Sequence, residues 1–180
     1  VIARTVRTFE ESGWFDGGVV VVTGECDLED MTQILRHAGL SAKVVLGGAD
    51  RQEIVCRGLA AVNPKADYIA IHDGARPLVT KEVIERTLES AKAFGSGVAA
   101  VALKDTVKRV DGQGCVIDTP PRDGLRAVQT PQTFSAELIW RAHAEFEHGE
   151  RATDDAALVE RMGVSVHLTE GDVENIKLTT

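Results

Sequence analysis

The sequence predicts an α/β fold built on a mostly parallel sheet. Short apolar runs rich in β-branched residues alternate along the chain with amphipathic stretches of helical length. Several runs are apolar at nearly every position, which is typical of strands covered on both faces. No internal repeat, low-complexity stretch or linker divides the 180 residues. These observations together predict a single α/β domain.

Five apolar runs are the predicted strands of this sheet. In chain order they span residues 19–22, 43–46, 68–71, 98–101 and 164–168. The first is a block of four valines that is too short to form a helix on its own.

The amphipathic stretches between these strands carry helix start and stop signals. A helix containing Ile54, Val55 and Leu59 follows the second strand. Four more stretches each begin after a potential N-cap and end before a glycine. The start and stop residues are Asp27 and Gly39, Thr80 and Gly95, Ser135 and Gly149, and Thr153 and Gly163.

Residues 104–121 interrupt the alternation and predict a β-hairpin. Two short β-prone runs, 106–110 and 115–117, flank the turn sequence Asp-Gly-Gln-Gly at 111–114. Pro120 and Pro121 then end the pairing. Such a hairpin is either a plain surface feature or an arm for dimerisation.

Composition and charge exclude several classes of protein. The chain has 20 Lys and Arg against 28 Asp and Glu, a formal net charge of −8, which argues against a nucleic-acid partner. No apolar run approaches the roughly 20 residues that span a bilayer. The three cysteines form no Cys-x-x-Cys pair, and the five histidines show neither metal-ligand spacing nor a Ser/His/Asp arrangement. We therefore expect a soluble, cytoplasmic protein with no nucleic acid, no membrane partner and no metal-ligating residues.

The sharpest candidate site follows the third predicted strand, at residues 71–77. Ligands of open α/β sheets bind just outside the carboxyl ends of the strands. Asp73 there is suited to sugar hydroxyls or to a metal, and Arg76 to a phosphate. The alternative is structural: Asp73 caps the turn and forms an ion pair with Arg76. His72 is expected to be a hydrogen-bonded structural histidine rather than a base.

A second candidate site follows the second predicted strand. Gly47 and Gly48 allow close approach of a ligand, and the helix that follows, beginning near Arg51, favours anions at its N-terminus. The same sequence also suits an ordinary turn, and it matches neither the Walker nor the dinucleotide-binding fingerprint.

Three further segments are ambiguous individually. Arg122 and the Thr130-Pro131-Gln132 sequence come after the hairpin. Residues 153–155, Thr-Asp-Asp, predict a helix cap with acids near the positive end of the helix dipole. Lys177 is expected on a short strand near residue 180.

In this order, these segments resemble the 2-C-methyl-D-erythritol 4-phosphate cytidylyltransferases of the non-mevalonate isoprenoid pathway. They span nearly the whole chain at the family's spacing. The matching sequences are Gly47-Gly48-x-x-Arg51, His72 to Pro77, Lys104 to Lys108, Arg122, Gln129-Thr130-Pro131-Gln132-x-Phe134, Thr153 to Ala156, and Asn175-Ile176-Lys177-x-Thr179-Thr180.

The resemblance implies a three-layer α/β sandwich, a Rossmann-like nucleotidyltransferase of the glycosyltransferase-A type with a protruding hairpin arm at about 104–121. It implies transfer of CMP from CTP to 2-C-methyl-D-erythritol 4-phosphate by in-line attack of a phosphate oxygen on the α-phosphorus, with release of pyrophosphate. It also implies Mg²⁺ held mainly through the nucleotide phosphates, and a homodimer clasped by the hairpin arm.

The same resemblance assigns roles to individual residues. Arg122 and Lys177 would be the catalytic residues that position the attacking phosphate. Thr106 and Arg122 would act on the active site of the partner subunit. The residues expected to bind the nucleotide and the sugar phosphate are Gly47, Gly48, Arg51, Asp73, Gly74, Arg76, Thr106, Thr130 and Thr153.

The sequence also departs from the family pattern. Family members begin with a strand and a Gly-rich phosphate loop and continue into a further helix, so residues 1–180 are expected to be a single domain trimmed at both ends. Ile54 stands where the family usually has a Ser near the cytosine, and Gly74 where it usually has an Ala.

Two alternatives to this function stay open on sequence alone. A ribitol 5-phosphate cytidylyltransferase would carry similar motifs, although residues 123–129 are closer to the isoprenoid enzymes. An alternative from another class is a nucleotide-binding domain that has lost catalysis. A nicotinamide-binding Rossmann domain would require a Gly-x-Gly-x-x-Gly that this chain lacks.

Overall fold

Helices and strands alternate along most of the chain in the computed structural model, which describes residues 1–146 and 152–178. The helices are α1 (Ile2–Ser12), α2 (Leu28–His37), α3 (Arg51–Ala61), α4 (Lys81–Phe94), α5 (Ala136–Glu145) and α6 (Asp155–Arg161). The strands are β1 (Val20–Thr23), β2 (Lys43–Leu46), β3 (Tyr68–Ile71), β4 (Ser96–Ala102), β5 (Arg109–Val110), β6 (Val116–Asp118), β7 (Arg126–Ser135) and β8 (Leu168–Glu170).

The central sheet has the strand order β3-β7-β4-β8. β4 and β8 pair in parallel, whereas β7 is antiparallel to both β3 and β4. Three of the four strands therefore run in one direction and β7 alone opposes them. β1 and β2 form a separate parallel pair. The expectation of a mostly parallel α/β fold is confirmed.

Helices cover both faces of the central sheet, which makes three layers. Val98 and Ile69 belong to a core with residues of α3, α5 and α6, whereas their neighbours Ala99 and Ala70 belong to a core with residues of α1 and α4. Consecutive residues of a strand point to opposite faces, so β3 and β4 each contribute to both cores. Gly97 brings α4 close to the sheet, because a Cβ there would collide with the carbonyl oxygen of Thr87.

The predicted helix signals agree with the structure at most positions. The Thr80 side chain accepts a hydrogen bond from the Val83 N–H, and Gly95 ends α4 with a φ of 83°. The N-cap of α6 is Asp154 rather than Thr153, since the Asp154 carboxylate accepts the Ala157 N–H. The predicted stop at Gly149 lies outside the described residues.

β1 and β4 differ from their predicted bounds by one or two residues at each end, whereas two strands differ from the prediction by more. β7 was not expected, because a proline rarely occupies a central strand. Pro131 is accommodated in a bulge: Gln132 pairs with Val98 and Val128 with Ala100, so three residues of β7 face one residue of β4. β8 begins at residue 168 rather than 164, since residues 164–167 first connect α6 to the sheet.

The predicted hairpin is present as the antiparallel pair β5 and β6. Asp111 closes its turn by accepting the N–H groups of Gln113 and Cys115, and Gly114 adopts a φ of 85°. The hairpin exposes Val110, Val116 and Ile117 at 51–61% of their surface. None of the described helices has the length and hydrophobicity needed to cross a membrane.

Candidate active site

The loop after β3 contains a carboxylate that forms ion pairs with two basic side chains. Asp73 Oδ2 lies 3.0 Å from Lys177 Nζ and 3.4 Å from Arg76 Nε. The Asp73 and Arg76 side chains are mostly buried, whereas that of Lys177 is 44% exposed. Both cations therefore reach the carboxyl end of β3 from different parts of the chain. Their N–H groups are suited to hold phosphate oxygens there.

Lys177 was expected to lie on a strand, but residues 171–178 form an irregular segment. Two hydrogen bonds fix this segment against the Asp73 loop and β7. The Leu178 N–H donates to the Ala75 carbonyl, and the fully buried Asn175 side chain donates to the Thr130 carbonyl at 2.8 Å. Arg76 also donates to the Asn175 carbonyl at 2.6 Å. Backbone anchoring thus replaces strand pairing in positioning Lys177.

The β7 bulge supplies Thr130, whose hydroxyl connects two residues of the loop after β3. It accepts the Asp73 N–H and lies 3.0 Å from His72 Nδ1. His72 Nε2 faces the Arg76 carbonyl oxygen at 3.1 Å, and because that oxygen only accepts, Nε2 carries the proton and Nδ1 accepts from Thr130. Phe9 covers the imidazole, and burial lowers the pKa of His72 to about 4. His72 is therefore neutral at pH 7 and structural, as predicted.

Arg51, the first residue of α3, forms an ion pair with a buried carboxylate. Its Nη2 lies 2.6 Å from Asp155 Oδ2, and the Asp155 side chain is 1% exposed against 38% for Arg51. Asp155 Oδ1 lies 3.0 Å from Nε2 of the buried His143. Burial acts to raise the pKa of Asp155, but the His143 hydrogen bond and the Arg51 charge outweigh it and lower that pKa. Asp155 is therefore ionised and paired.

The glycines before α3 are needed for its first turn. Glu53 folds back so that its carboxylate accepts the Ala49 N–H, while Asp50 caps the helix by accepting the Glu53 N–H. A Cβ at Gly48 would collide with the Glu53 side chain. A Cβ at Gly47 would lie 3.2 Å from Ile54, so Ile54 is adjacent to this turn.

The family model of the 2-C-methyl-D-erythritol 4-phosphate cytidylyltransferases, IspD, matches residues 1–180. The chain belongs to the IspD family. It is 44% identical to the enzyme of that name from Desulforamulus reducens and 41% identical to that from Caldanaerobacter subterraneus subsp. tengcongensis. Each alignment covers all of this chain, and 78% and 81% of the respective relative.

Solved structures confirm the IspD fold. The 4-diphosphocytidyl-2C-methyl-D-erythritol synthase of Anaerococcus prevotii superimposes with a TM-score of 0.91 at 28% identity, over 99% of this chain and 83% of that one. The Thermus thermophilus 2-C-methyl-D-erythritol 4-phosphate cytidylyltransferase is 38% identical, with a TM-score of 0.72 over 79% of this chain and 69% of that one. The chain thus has the fold of a family of nucleotidyltransferases.

Besides Gly47, Gly48 and Arg51 at the start of α3, the residues of the IspD motifs separate into two groups in the structure. Asp73, Gly74, Arg76, Thr130 and Lys177 meet at the loop after β3. Gly74 also contacts α1, since its carbonyl accepts the Thr5 hydroxyl at 3.2 Å.

The other group does not join this cluster within residues 1–146 and 152–178. Arg122 donates to the Lys104 carbonyl at the base of the hairpin. Thr106 is exposed in the segment before β5, and Thr153 is exposed before α6. Their predicted contacts with ligand stay predictions.

Besides Asp155, three buried polar side chains near the candidate site were not among the predicted ligand-binding residues. Gln132, 1% exposed, donates to Asp154 at 3.0 Å and accepts the Ala156 N–H, so it fastens α6 to β7. His143 and Asn175 are the other two. A polar residue within an otherwise buried segment is the sequence signal for such roles, but it does not name the partner.

Proposed function

We propose that this protein transfers the cytidylyl group of CTP to 2-C-methyl-D-erythritol 4-phosphate. A phosphate oxygen of the sugar substrate forms a bond to the α-phosphorus, and the bond from that phosphorus to the bridging oxygen of the β-phosphate breaks. The products are 4-diphosphocytidyl-2-C-methyl-D-erythritol and pyrophosphate. The observation that carries the proposal is the pairing of Lys177 and Arg76 on Asp73 at the carboxyl end of β3, in a chain of the IspD family.

This reaction requires charge neutralisation and alignment rather than a protein base. The attacking phosphate oxygen is already anionic, so no proton has to be removed from it. Lys177 and Arg76 can bind phosphate oxygens and lower the repulsion between the two reacting anions. A neutral His72 agrees with a role in shaping the loop, not in proton transfer.

The nucleotide is proposed to bind beside the turn that precedes α3. Gly47, Gly48 and Gly74 would line the cytidine pocket, and Arg51 would face the phosphates. Asp73 and Arg76 would contact the sugar phosphate, and Thr153 would offer its hydroxyl group. The Thr130 hydroxyl proton is donated to His72, so Thr130 would accept from a hydroxyl of the sugar. Ile54, next to Gly47, would contact the base without donating a hydrogen bond.

Thr106 and Arg122 are proposed to act across a homodimer, with Arg122 positioning the attacking phosphate in the active site of the partner subunit. Support comes from Thr106 on the hairpin arm and Arg122 at its base, and from the arm's exposed Val110, Val116 and Ile117. Apolar side chains on a protruding hairpin favour burial against a second copy.

Mg²⁺ is proposed to enter with CTP, held mainly by phosphate oxygens. No group of three or more His, Cys, Asp or Glu side chains in the described part of the chain is arranged to hold a metal ion. Asp73 is already paired with two cations. When bound, the metal would supply charge neutralisation on the nucleotide phosphates.

Pyrophosphate release tests this function. The full-length protein, given CTP and Mg²⁺, should release pyrophosphate with 2-C-methyl-D-erythritol 4-phosphate and much more slowly with ribitol 5-phosphate. The Lys177→Gln variant should lose at least about 100-fold in kcat/KM, as when a transition-state charge partner is removed. A faster reaction with ribitol 5-phosphate would contradict the substrate assignment. The absence of release with either would indicate a nucleotide-binding domain without catalysis.

A further inference from the structure

His143 is a buried titratable side chain that the proposed reaction does not use. It lies on α5 with 3% of its surface exposed and touches two other helices. Its Nε2 lies 3.0 Å from Asp155 Oδ1 on α6, and its Nδ1 lies 3.3 Å from the Cys56 sulfur on α3. Because the carboxylate only accepts, Nε2 carries a proton and donates it to Asp155.

The two oxygens of Asp155 are divided between two donors. Oδ1 accepts from His143, and Oδ2 accepts from Arg51 at 2.6 Å. The His143 hydrogen bond therefore fixes the rotation of the carboxylate so that Oδ2 faces α3. A buried carboxylate with two donors has one favoured orientation, whereas one with a single donor can rotate about its Cβ–Cγ bond.

Arg51 is the exposed end of the hydrogen-bonded series His143–Asp155–Arg51. Its side chain is 38% exposed, and Asp155 holds its Nη2, so part of the guanidinium is open to solvent at the first turn of α3, which follows the Gly47–Gly48 turn. An arginine presents five donors in a planar fork, so holding one nitrogen restricts the directions in which the others can point.

We propose that His143 is a positioning residue that acts through Asp155 to aim Arg51 at the phosphates of CTP. The proposal rests on the proposed function, since it takes Arg51 as a contact of the nucleotide. His143 touches no reacting atom, so its loss weakens CTP binding and leaves the chemical step largely intact.

Two substitutions separate this role from packing. In His143→Gln the side-chain amide nitrogen occupies about the position of Nε2 and can still donate to Asp155. In His143→Asn the amide occupies about the position of Nδ1, so it keeps a polar group towards Cys56 and loses the donor to Asp155. Both replacements are polar and close in size, so His143→Asn is the loss variant and His143→Gln its matched control.

Steady-state kinetics of the full-length protein, with CTP and 2-C-methyl-D-erythritol 4-phosphate varied in turn, provide the test. We expect His143→Asn to raise KM for CTP by roughly 5- to 10-fold, the net effect of about one hydrogen bond, with kcat and the other KM within about twofold. His143→Gln should restore KM for CTP. In an Arg51→Ala background, His143→Asn should add no more than about twofold.

Equal behaviour of the Asn and Gln variants would overturn the proposal, as would full additivity with Arg51→Ala. A fall in kcat with KM for CTP unchanged would overturn it too. If one of the two His143 variants is too unstable to purify, calorimetric titration of CTP into the remaining variant and into Arg51→Ala still tests the proposal. The Kd for CTP of His143→Gln must equal that of the wild type, and the Kd of His143→Asn must equal that of Arg51→Ala. An inactive wild-type protein that binds CTP would instead reject the proposed function.

Discussion

Replacing Asp155 with asparagine should destabilise the protein more than any change of one exposed charge. The Asp155→Asn substitution preserves the size and shape of the side chain, so it tests charge and hydrogen bonding rather than packing. It leaves one oxygen for two donors, Arg51 and His143, and it removes the negative charge that compensates Arg51.

The magnitude follows from burial. Removing one partner of a fully buried ion pair costs about 3–5 kcal/mol. Arg51 is 38% exposed and regains part of its hydration, and the amide oxygen keeps one hydrogen bond, so we expect a loss of about 2–3 kcal/mol in the free energy of unfolding. For a domain of this size that corresponds to a fall in Tm of roughly 4–12 °C.

Urea unfolding at pH 7, followed by circular dichroism, measures this loss. The matched control is Asp118→Asn, which breaks the exposed Arg109–Asp118 pair on the hairpin and should change stability by less than about 0.5 kcal/mol. If Asp155→Asn unfolded within about 0.5 kcal/mol of the wild type, the reasoning that this carboxylate holds α3, α5 and α6 together would be refuted.

Four further predictions concern pH, selectivity and assembly. Burial lowers the pKa of His72 to about 4, so as the pH falls the unfolded chain takes up its proton first. The free energy of unfolding should therefore fall by roughly 3 kcal/mol between pH 7 and pH 4. If the urea midpoints of the wild type and of a His72→Gln variant changed equally over this pH range, the prediction would be contradicted. Ile54→Ser should raise the preference for CTP over UTP by roughly 3- to 10-fold in kcat/KM, and an unchanged ratio would argue against contact with the base. Arg122→Ala should reduce turnover severely without unfolding the protein. If active sites are shared between subunits, mixing this variant with the equally inactive Asp73→Ala should restore roughly a quarter of the wild-type activity. No recovery of activity would mean that the sites are not shared. Ile117→Asp should convert dimers to monomers in analytical ultracentrifugation, and a wild-type monomer would already refute the proposed arm.

The fold was largely predictable because hydrophobic pattern and capping residues act locally. β2 and β3 begin and end at the predicted residues, and Thr80 and Gly95 bound α4 as their sequence signals indicate. β7 could not be predicted in this way. Its bulge at Pro131 depends on pairing with β4, a contact between distant parts of the chain.

The candidate site was predictable in position but not in its internal contacts. A carboxylate and an arginine after a buried strand predict either a ligand site or an ion pair within the turn. The structure shows the ion pair of Asp73 and Arg76, and ligand binding there stays a prediction. Only the resemblance to the family indicated a role for Lys177, because an irregular segment, and not a strand or helix with a recognisable pattern, positions it beside Asp73. The link from Arg51 through Asp155 to His143 joins three helices, and no local pattern encodes it.

Identification of the product tests the central claim most directly. With CTP, Mg²⁺ and 2-C-methyl-D-erythritol 4-phosphate, phosphorus NMR should show one pyrophosphate and one cytidine diphosphate diester formed per CTP consumed by the wild type, and almost none by Lys177→Gln. Hydrolysis of CTP to CMP, or diester formation by Lys177→Gln at the wild-type rate, would contradict the account of a cytidylyltransferase that works through the cations gathered by Asp73.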